Sequence, residues 1–314
     1  MNLRRFVSYL SPADLVSISF LLFLTVLNLI FHTRVVQWPT LVAVNLAVIA
    51  LIGILAWSAE NKKTKLLIGL HRWYCYAIIL FIFKELYLMV HPIHPTDYDP
   101  VFIAIDRWMF GVNPTEWLGR YAHPVITEIL QIAYFSYYFL FIILGVEIYR
   151  RYTIEKFDKA AFLVVYGFYL SYIGYFSFPG VGPRFTLHDF SAINTELPGI
   201  LVTNFLREIV NLGESIPRNH PNPMEFVQRD VFPSGHTQLT IVAMVLGFRH
   251  KLRTRWLVTV LGTLLIIGTV YLRYHYVVDL IAGALLAWLT LWSGDRLEIW
   301  WRSLTQRLRG HPAA

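Results

Sequence analysis

Long hydrophobic runs alternate with short polar segments along the whole chain. Eight of these runs approach the length of about 20 residues that an α-helix needs to cross the hydrocarbon core of a bilayer. The pattern therefore predicts an all-α fold, a polytopic transmembrane helical bundle with eight spans. The predicted spans cover residues 14–33, 38–58, 72–91, 123–149, 157–178, 236–250, 254–272 and 276–293.

Composition supports a membrane protein. Hydrophobic residues account for 56% of the 314 residues and charged residues for 15%, whereas about 25% of the residues in soluble domains are charged. The single cysteine, Cys75, excludes an intrachain disulfide and a cysteine-based metal site.

The distribution of basic residues predicts the orientation of the chain. Eighteen of the 27 lysines and arginines lie on the side of the N-terminus, in alternate loops and in the C-terminal tail. Because cytoplasmic loops carry the excess of Lys and Arg in membrane proteins, both termini are predicted in the cytoplasm. The net charge of +7 then reflects orientation and contact with anionic lipids, and no nucleic-acid partner is expected.

Two polar segments are predicted on the opposite side of the membrane. Residues 99–111 begin with Asp99 as the expected N-cap, end at a glycine and space their apolar residues as a helix lying on the bilayer would. Asn113 and Glu116 are spaced for a capping box at the start of a further short turn. Structural packing and substrate gating are both open roles for this region. Residues 179–233 form a loop too long for a plain connection, which indicates a function.

The stretch from Pro233 to His236 is typical of the start of a helix whose N-terminus can bind an anion. Pro233 restricts the backbone before Ser234, a good N-cap, so a helix is expected to begin directly afterwards. The free amides and the dipole of a helix N-terminus bind anions, and His236 would lie beside a bound phosphate. An ordinary turn with a polar interface histidine fits the same residues.

A second histidine lies further along the chain. His275 and Asp279 are four residues apart, hence on one helix face, where a carboxylate can hold one nitrogen of an imidazole. A histidine oriented in this way can act as a nucleophile through its other nitrogen. A buried hydrogen-bonded pair is the alternative. Both His236 and His275 open helices from the same predicted membrane face, which favours a shared site.

The PSGH motif at residues 233–236, followed by an HxxxD motif at 275–279, resembles the type 2 phosphatidic acid phosphatase (PAP2) superfamily. The resemblance covers roughly residues 72–293 and implies a core of six helices, with the first two spans additional. The expected parts are two extra transmembrane helices in 1–65, a PAP2-like catalytic core in 66–295 and a basic cytoplasmic tail in 296–314.

Two other signatures of the superfamily are incomplete here. Ser177 and Thr269 stand where these motifs have a lysine and an arginine, and Arg184 takes the approximate place of a further arginine. The order of DRWMFGVNP, a GPRF-type loop and RYHYVVD is similar to the branch that contains the fungal inositol phosphorylceramide synthases, whereas the intact PSGH motif resembles the phosphatases. That branch transfers a phosphoinositol head group to ceramide. The arginines that could replace the missing cations are Arg273, Arg229 and Arg218.

The resemblance implies a mechanism without metal or cofactor. His275 would attack phosphorus and form a phosphohistidine while Asp279 holds its ring. His236 would protonate the leaving lipid alcohol and then activate water or an acceptor alcohol. The groups expected to bind phosphate are Arg184, Ser234, the amide of Gly235, and Arg273.

The sequence and the resemblance together predict a lipid phosphate phosphatase in a bacterial inner membrane, with its active site facing outside. Its expected partners are a membrane lipid phosphate and the bilayer, and the oligomeric state is open. A phosphotransferase that moves a head group between lipids is the alternative. A transporter is an alternative of another class, because Lys84 and Glu85 place charge inside the third span, where charge is costly and often functional.

Overall fold

The computed structural model describes residues 3–218 and 220–309, and every regular element in these ranges is helical. The all-α prediction is therefore confirmed. The helices are α1 (Leu3–Val7), α2 (Pro12–Ile30), α3 (Trp38–Lys62), α4 (Lys65–Ile93), α5 (Asp99–Phe110), α6 (Pro114–Gly119), α7 (Pro124–Phe135), α8 (Tyr137–Arg151), α9 (Ile154–Ser177), α10 (Pro183–Thr186), α11 (Ile193–Glu196), α12 (Thr203–Gly213), α13 (Gly235–Arg249), α14 (Arg255–Tyr271) and α15 (Val277–Leu308).

Five helices of the described chain are long and apolar enough to cross a membrane, namely α2, α3, α4, α9 and α15. The pair of α7 and α8, bent by 49°, gives a sixth crossing if it is counted as one span. The two other predicted spans correspond to α13 and α14. These helices have 15 and 17 residues, fewer than the about 20 of a full crossing. The chain is thus a polytopic helical bundle in which two of the eight predicted spans are short.

The chain forms two compact units, of which the first consists of Met1–Ile93, Ile148–Tyr169 and Leu289–Ala314. In this unit α2 packs against α3, and α3 packs against α4. Asp14 fixes the start of α2 through a capping box with Ser11. The same carboxylate accepts hydrogen bonds from His71, at 2.8 Å, and from Tyr74, so that it also ties α4 to α2.

The second unit consists of His94–Glu147 and Leu170–Trp288. Here α7 packs against α12 and α14, and α14 packs against α13. Apolar and aromatic side chains from α7, the end of α11, α12, the end of α14 and the turn after it form a core cluster, namely Leu130, Tyr134, Leu197, Val210, Tyr271, Leu272 and Tyr274. Both histidine motifs lie in this unit. The predicted domain boundaries near residues 65 and 295 stay predictions.

The segment predicted to lie on the bilayer forms α5, and its start differs from the expectation. Tyr98 is the N-cap and Asp99 is the first helical residue, so the prediction of Asp99 as N-cap is wrong. Its carboxylate instead accepts hydrogen bonds from backbone amides that are distant in the sequence. Gly111 ends the helix in the left-handed conformation, with φ of 71°, as expected of a glycine stop. Glu116 accepts a hydrogen bond from the side chain of Asn113, which replaces the predicted capping box.

Candidate active site

The start of α13 confirms the predicted N-cap. The hydroxyl of Ser234 accepts a hydrogen bond from the amide of Thr237 at 3.2 Å. Gly235 follows as the first helical residue, and a Cβ atom there would lie 2.5 Å from the hydroxyl oxygen of Tyr175. There is therefore no room for a side chain at this position, and His236 is the first residue of α13 that can carry a reactive group.

His275 lies in the turn between α14 and α15, with both ring nitrogens engaged. Its Nδ1 atom is 2.9 Å from the carbonyl oxygen of Val231 and 3.3 Å from Oδ2 of Asp279. Because both neighbours are acceptors, Nδ1 carries a proton and Nε2 is left with the lone pair. Nε2 lies 3.3 Å from Nδ1 of His236, so the structure brings the two predicted histidines into direct contact.

Asp279 joins the two histidine motifs. Its Oδ2 atom also accepts a hydrogen bond from the amide of Tyr276 at 2.8 Å. Its carbonyl oxygen accepts one from the amide of Ser234 at 3.0 Å. The side chain is completely buried. The turn that carries His275 is therefore tied to the N-cap of α13 by a single residue.

Two tyrosines enclose His236. Tyr134 stacks on the imidazole at a centroid distance of 4.8 Å, and Tyr137 lies at 4.4 Å. Tyr134 also stacks on Tyr274, at 4.2 Å. These contacts fix the plane of the imidazole and cover it with apolar ring surface. The sequence analysis missed both tyrosines, since aromatic residues are frequent throughout the predicted spans and these two form no motif.

Arg184 is the arginine that contacts these stacked tyrosines, through the ring of Tyr274. Its guanidinium lies 4.8 Å from the ring centroid of Tyr274, a cation–π contact. The side chain is buried, donates a hydrogen bond to Asn211 at 3.1 Å and forms an ion pair with Glu214. Asn211 and Glu214, at the end of α12, were also missed, because no local pattern links them to Arg184.

Arg273 contributes its backbone to the site. Its carbonyl oxygen accepts a hydrogen bond from the amide of Arg184 at 3.0 Å, with Arg273 in the left-handed region at φ of 70°. Its guanidinium forms an ion pair with Glu196. Arg273 therefore positions Arg184, while its own charge is directed to a carboxylate instead of to the histidines.

Three further arginines of this unit are held by other groups. They are Arg229 with Asp97 at 3.5 Å, Arg218 with Glu208 at 2.8 Å, and Arg207 with the side chain of Asn194 at 2.9 Å. In the described part of the chain, then, Arg184 is the arginine that the structure places with the two histidines. That Arg229 or Arg218 replaces the cations missing at Ser177 and Thr269 stays a prediction.

The electrostatics of the site favour a neutral His275. Burial lowers the pKa of His275 well below its usual range, and the neighbouring His236 and Arg184 lower it further. The hydrogen bond to the carbonyl of Val231 opposes this shift. The neutral imidazole is the form that keeps a lone pair for attack on an electrophile.

Asp99, on α5, holds the turn that precedes Arg184. Its carboxylate accepts hydrogen bonds from the amides of Val181 and Gly182 at 2.9 and 2.8 Å, and from the hydroxyl of Tyr276 at 2.8 Å. Gly182 has φ of 92°, a conformation that side chains other than glycine rarely adopt. The direction of the chain into Arg184 thus depends on a carboxylate from the helix predicted on the bilayer.

Asp106, on the same helix, holds the start of α15. It accepts hydrogen bonds from the amides of Val277 and Val278 at 2.8 and 2.9 Å, two of the amides that a helix N-terminus leaves without intrahelical partners. Asp99 and Asp106 are seven residues apart and share one helix face. That spacing was the available signal in the sequence, but their partners are too distant along the chain for a local pattern to indicate them.

The site therefore combines a lone pair on His275, a second imidazole that can carry a proton, and one guanidinium. Such a set is suited to nucleophilic and acid–base chemistry at an anionic centre. Within residues 3–218 and 220–309, no group of three or more His, Cys, Asp or Glu side chains is arranged to hold a metal ion.

Comparison with known proteins points to one family. A sequence model of the family described as PAP2 superfamily matches residues 101–293. A protein of Dictyostelium discoideum, described as a PA-phosphatase related-family protein, is 25% identical over 194 residues. The match covers 55% of this chain but 32% of that protein, so the chain spans about a third of the length of this curated relative. No solved structure matches the chain.

Proposed function

We propose, on the premise that this chain belongs to the PAP2 superfamily, that it is a membrane enzyme of the phosphatase type that breaks a lipid phosphoester or diphosphate through a phosphohistidine. The observation that carries the proposal is the distance of 3.3 Å between Nε2 of His275 and Nδ1 of His236. Because a contact of 3.3 Å leaves no space for phosphorus and its oxygens, the two rings must move apart when substrate binds. The phosphoryl group would then meet a nucleophile on one side and a proton donor on the other.

In the first step, Nε2 of His275 attacks phosphorus. An N–P bond forms while the bond from phosphorus to the leaving oxygen breaks. His236, which is protonated on both ring nitrogens at the start of this step, gives one proton to the leaving lipid alkoxide and becomes neutral. The proton on Nδ1 of His275 stays in place. The carbonyl of Val231 and the carboxylate of Asp279 stabilise the positive charge that develops on the ring.

In the second step, His236 takes a proton from water and the resulting hydroxide oxygen attacks phosphorus. The N–P bond breaks, inorganic phosphate leaves, and His275 returns to its neutral form. If an acceptor alcohol takes the place of water, the same step transfers the phosphoryl group to that alcohol.

Arg184 and the hydroxyl of Ser234 are the groups we assign to the phosphoryl oxygens. A guanidinium suits this role because it binds two oxygens at once. The hydroxyl of Tyr175 lies directly beside Gly235, so the amide of Gly235 can contribute only if Tyr175 leaves it accessible to the phosphoryl oxygen. Arg273 acts in the proposal as a positioning residue through its contact with the backbone of Arg184.

Head-group transfer is a second candidate, favoured by the small positive charge of the site. Ser177 and Thr269 replace two cations, and the remaining Arg184 is paired with Glu214. A phosphodiester carries one negative charge, whereas a phosphomonoester carries between about 1.5 and 2 near pH 7. A site with one cation favours the less charged group, which is the substrate of a transferase.

The reaction is proposed on the non-cytoplasmic face of a bacterial inner membrane, with both termini in the cytoplasm. The concentration of basic residues on the side of the termini supports this orientation. The substrate would then come from the outer leaflet of the bilayer.

The test is an assay of the purified chain in lipid nanodiscs. Phosphate release is measured from phosphatidic acid and a polyprenyl diphosphate, and products from phosphatidylinositol are separated by chromatography with and without ceramide or diacylglycerol. His236→Ala is expected to lower turnover by about 10²–10⁴-fold, the usual contribution of a general acid–base group. His275→Ala is expected to abolish both turnover and acid-labile labelling of the protein by ³²P.

His188→Ala provides the matched control. His188 lies in the same unit but contacts Thr115, at 2.9 Å, so this variant should keep its activity. Full activity in His275→Ala would overturn the mechanism. Product formation only in the presence of an acceptor alcohol would decide for transfer over hydrolysis.

A further inference from the structure

A buried carboxylate in α4 is the meeting point of three helices in the first unit. Glu85 is 3% exposed. Its Oε1 atom accepts hydrogen bonds from Nδ2 of Asn28 at 3.2 Å and from Nδ2 of Asn45 at 2.8 Å. Both asparagines are completely buried. Because they belong to α2 and α3, each of the three helices contributes one polar side chain to the cluster.

Three oxygen atoms of this cluster have no hydrogen-bond partner among residues 3–218 and 220–309. They are Oδ1 of Asn28, Oδ1 of Asn45 and Oε2 of Glu85. Buried acceptors without a donor are rare in folded proteins, because they lose water and gain nothing in exchange. One of the three belongs to the carboxylate of Glu85 and two belong to the amides beside it, and a single cation is a partner that all three can share.

The geometry of the amides allows all three side chains to face one ion. The oxygen and nitrogen of a carboxamide exchange places when the group turns by half a rotation. Such a turn would place Oδ1 of Asn45 and of Asn28 where the Nδ2 atoms now lie, 2.8 and 3.2 Å from Oε1 of Glu85. For Asn28 it also gives up the hydrogen bond that Nδ2 donates to the carbonyl oxygen of Leu24 at 3.0 Å, and this carbonyl oxygen then becomes a further oxygen ligand beside the ion. Carboxylate and amide oxygens at these separations are the ligands of a small, hard cation.

The charge of the cluster determines whether a monovalent or a divalent cation fits it. One monovalent cation neutralises the single carboxylate of Glu85. A divalent ion would leave an uncompensated positive charge between apolar helices, which is costly. Lys84, the adjacent residue, projects in a different direction because neighbouring residues on a helix do not share a face. The close approach of the oxygens favours an ion of the size of Na⁺ over a larger one.

We infer that Asn28, Asn45 and Glu85 form a binding site for a monovalent cation of the size of Na⁺. The site is separate from the histidines, from Arg184 and from the reaction proposed above. It holds α2, α3 and α4 together by bridging one ligand from each helix. Loss of the ion therefore weakens the packing of these three helices.

Thermal unfolding of the full chain in detergent tests the inference. Sodium chloride is raised from about 1 to about 300 mM while choline chloride keeps the ionic strength constant. Because a ligand that binds only the folded state stabilises it by mass action, the unfolding midpoint should rise by about 3 °C or more. Potassium chloride should give a smaller rise, and choline alone should give none.

Two variants link the effect to the cluster. Glu85→Gln and Asn45→Leu should remove the dependence of the midpoint on Na⁺. Glu60→Gln is the matched control, because Glu60 is a partly exposed carboxylate near the end of α3, and it should respond to Na⁺ as the unmodified chain does. Equal midpoints of the unmodified chain in Na⁺, K⁺ and choline overturn the inference even if both variants fail to fold. An unchanged Na⁺ response in a folded Glu85→Gln variant also overturns it.

Discussion

The reactivity proposed for His275 depends on three groups around its ring. The carbonyl of Val231 and the carboxylate of Asp279 share one nitrogen, and His236 faces the other. Two acceptors on Nδ1 favour a single tautomer, and burial keeps the ring neutral. The nucleophilic lone pair is thus present before substrate binds, without prior deprotonation by another group.

The pH profile of kcat/KM should reflect this environment. The reactive form of His275 is unprotonated, and its pKa is lowered from the usual value of about 6.5. His275 therefore takes up its proton at a lower pH than an ordinary histidine does, and activity should persist below pH 6.5. The acid limb is measured between about pH 4 and 8, with the titration of the substrate phosphate followed separately by ³¹P NMR. An acid limb with an apparent pKa above 6.5 that does not come from the substrate phosphate would contradict this prediction.

In the proposed function, Glu214 and the substrate phosphate compete for Arg184. The carboxylate of Glu214 forms an ion pair with the guanidinium that the proposed function requires for binding phosphate. Glu214→Gln removes the competing charge, so KM for the lipid phosphate should fall by about tenfold, which corresponds to about 1.4 kcal/mol. The same variant should lower stability, because it leaves a buried charge unpaired. Steady-state kinetics give KM, and an increase of KM would show that Glu214 supports binding instead.

At the scale of elements, the two ends of α12 contact different groups. Its N-terminal end is fixed by Glu128 on α7, whose carboxylate accepts hydrogen bonds from three successive amides and a hydroxyl. The donors are the amides of Ile200, Leu201 and Val202 and the hydroxyl of Thr203, at 2.6 to 3.2 Å. Next to this end, Leu201 is 86% exposed and Phe205 is 62% exposed. The far end of α12 carries the partners of Arg184.

Glu128→Gln should release the start of α12. Loss of the charged acceptor is expected to cost about 1–3 kcal/mol, and the amides of residues 199–205 should exchange hydrogen faster. Hydrogen exchange followed by mass spectrometry measures this local opening. Glu208→Gln is the control on the same helix, because Glu208 forms an exposed pair with Arg218, worth about 0–1 kcal/mol. Equal exchange rates in both variants would contradict the role of Glu128.

The sequence was sufficient for features that depend on local patterns. Hydropathy predicted the helices, and the residue type of Ser234 predicted the cap. His275 and Asp279 do meet, but the shared helix face from which this contact was predicted is wrong, because His275 lies in the turn before α15 and Asp279 reaches it from the first turn of that helix. The partners of Asp99, Glu128 and the arginines could not be predicted. Each of these side chains binds a group far away in the chain, and only the packed structure determines which carboxylate meets which cation.

At the scale of the whole molecule, the two units have different chemical characters. The second unit contains both histidines, Arg184 and the carboxylates that position them. The first unit contains Asp14 with its three partners and the cluster around Glu85. We expect substitutions in the first unit to alter stability more than turnover, and those around the histidines to do the reverse.

Labelling of introduced cysteines should test the proposed orientation. Cys75 is buried, and its replacement by serine gives a background without thiols. Thr195→Cys, at an exposed position in α11, should react with an impermeant maleimide on intact cells. Lys62→Cys, exposed at the end of α3, should react only after permeabilisation. The reverse pattern would place the histidines on the cytoplasmic face.

The two carboxylates of α5 have a mechanical consequence. Asp99 holds the turn that leads into Arg184, and Asp106 holds the first turn of α15, which carries Asp279. Both belong to one uninterrupted helix, so the proposed phosphate anchor and the turn that carries the partner of the proposed nucleophile are fixed to a single support. We expect a displacement of α5 to move both in the same direction, and to change the distance between them less than two separate supports would.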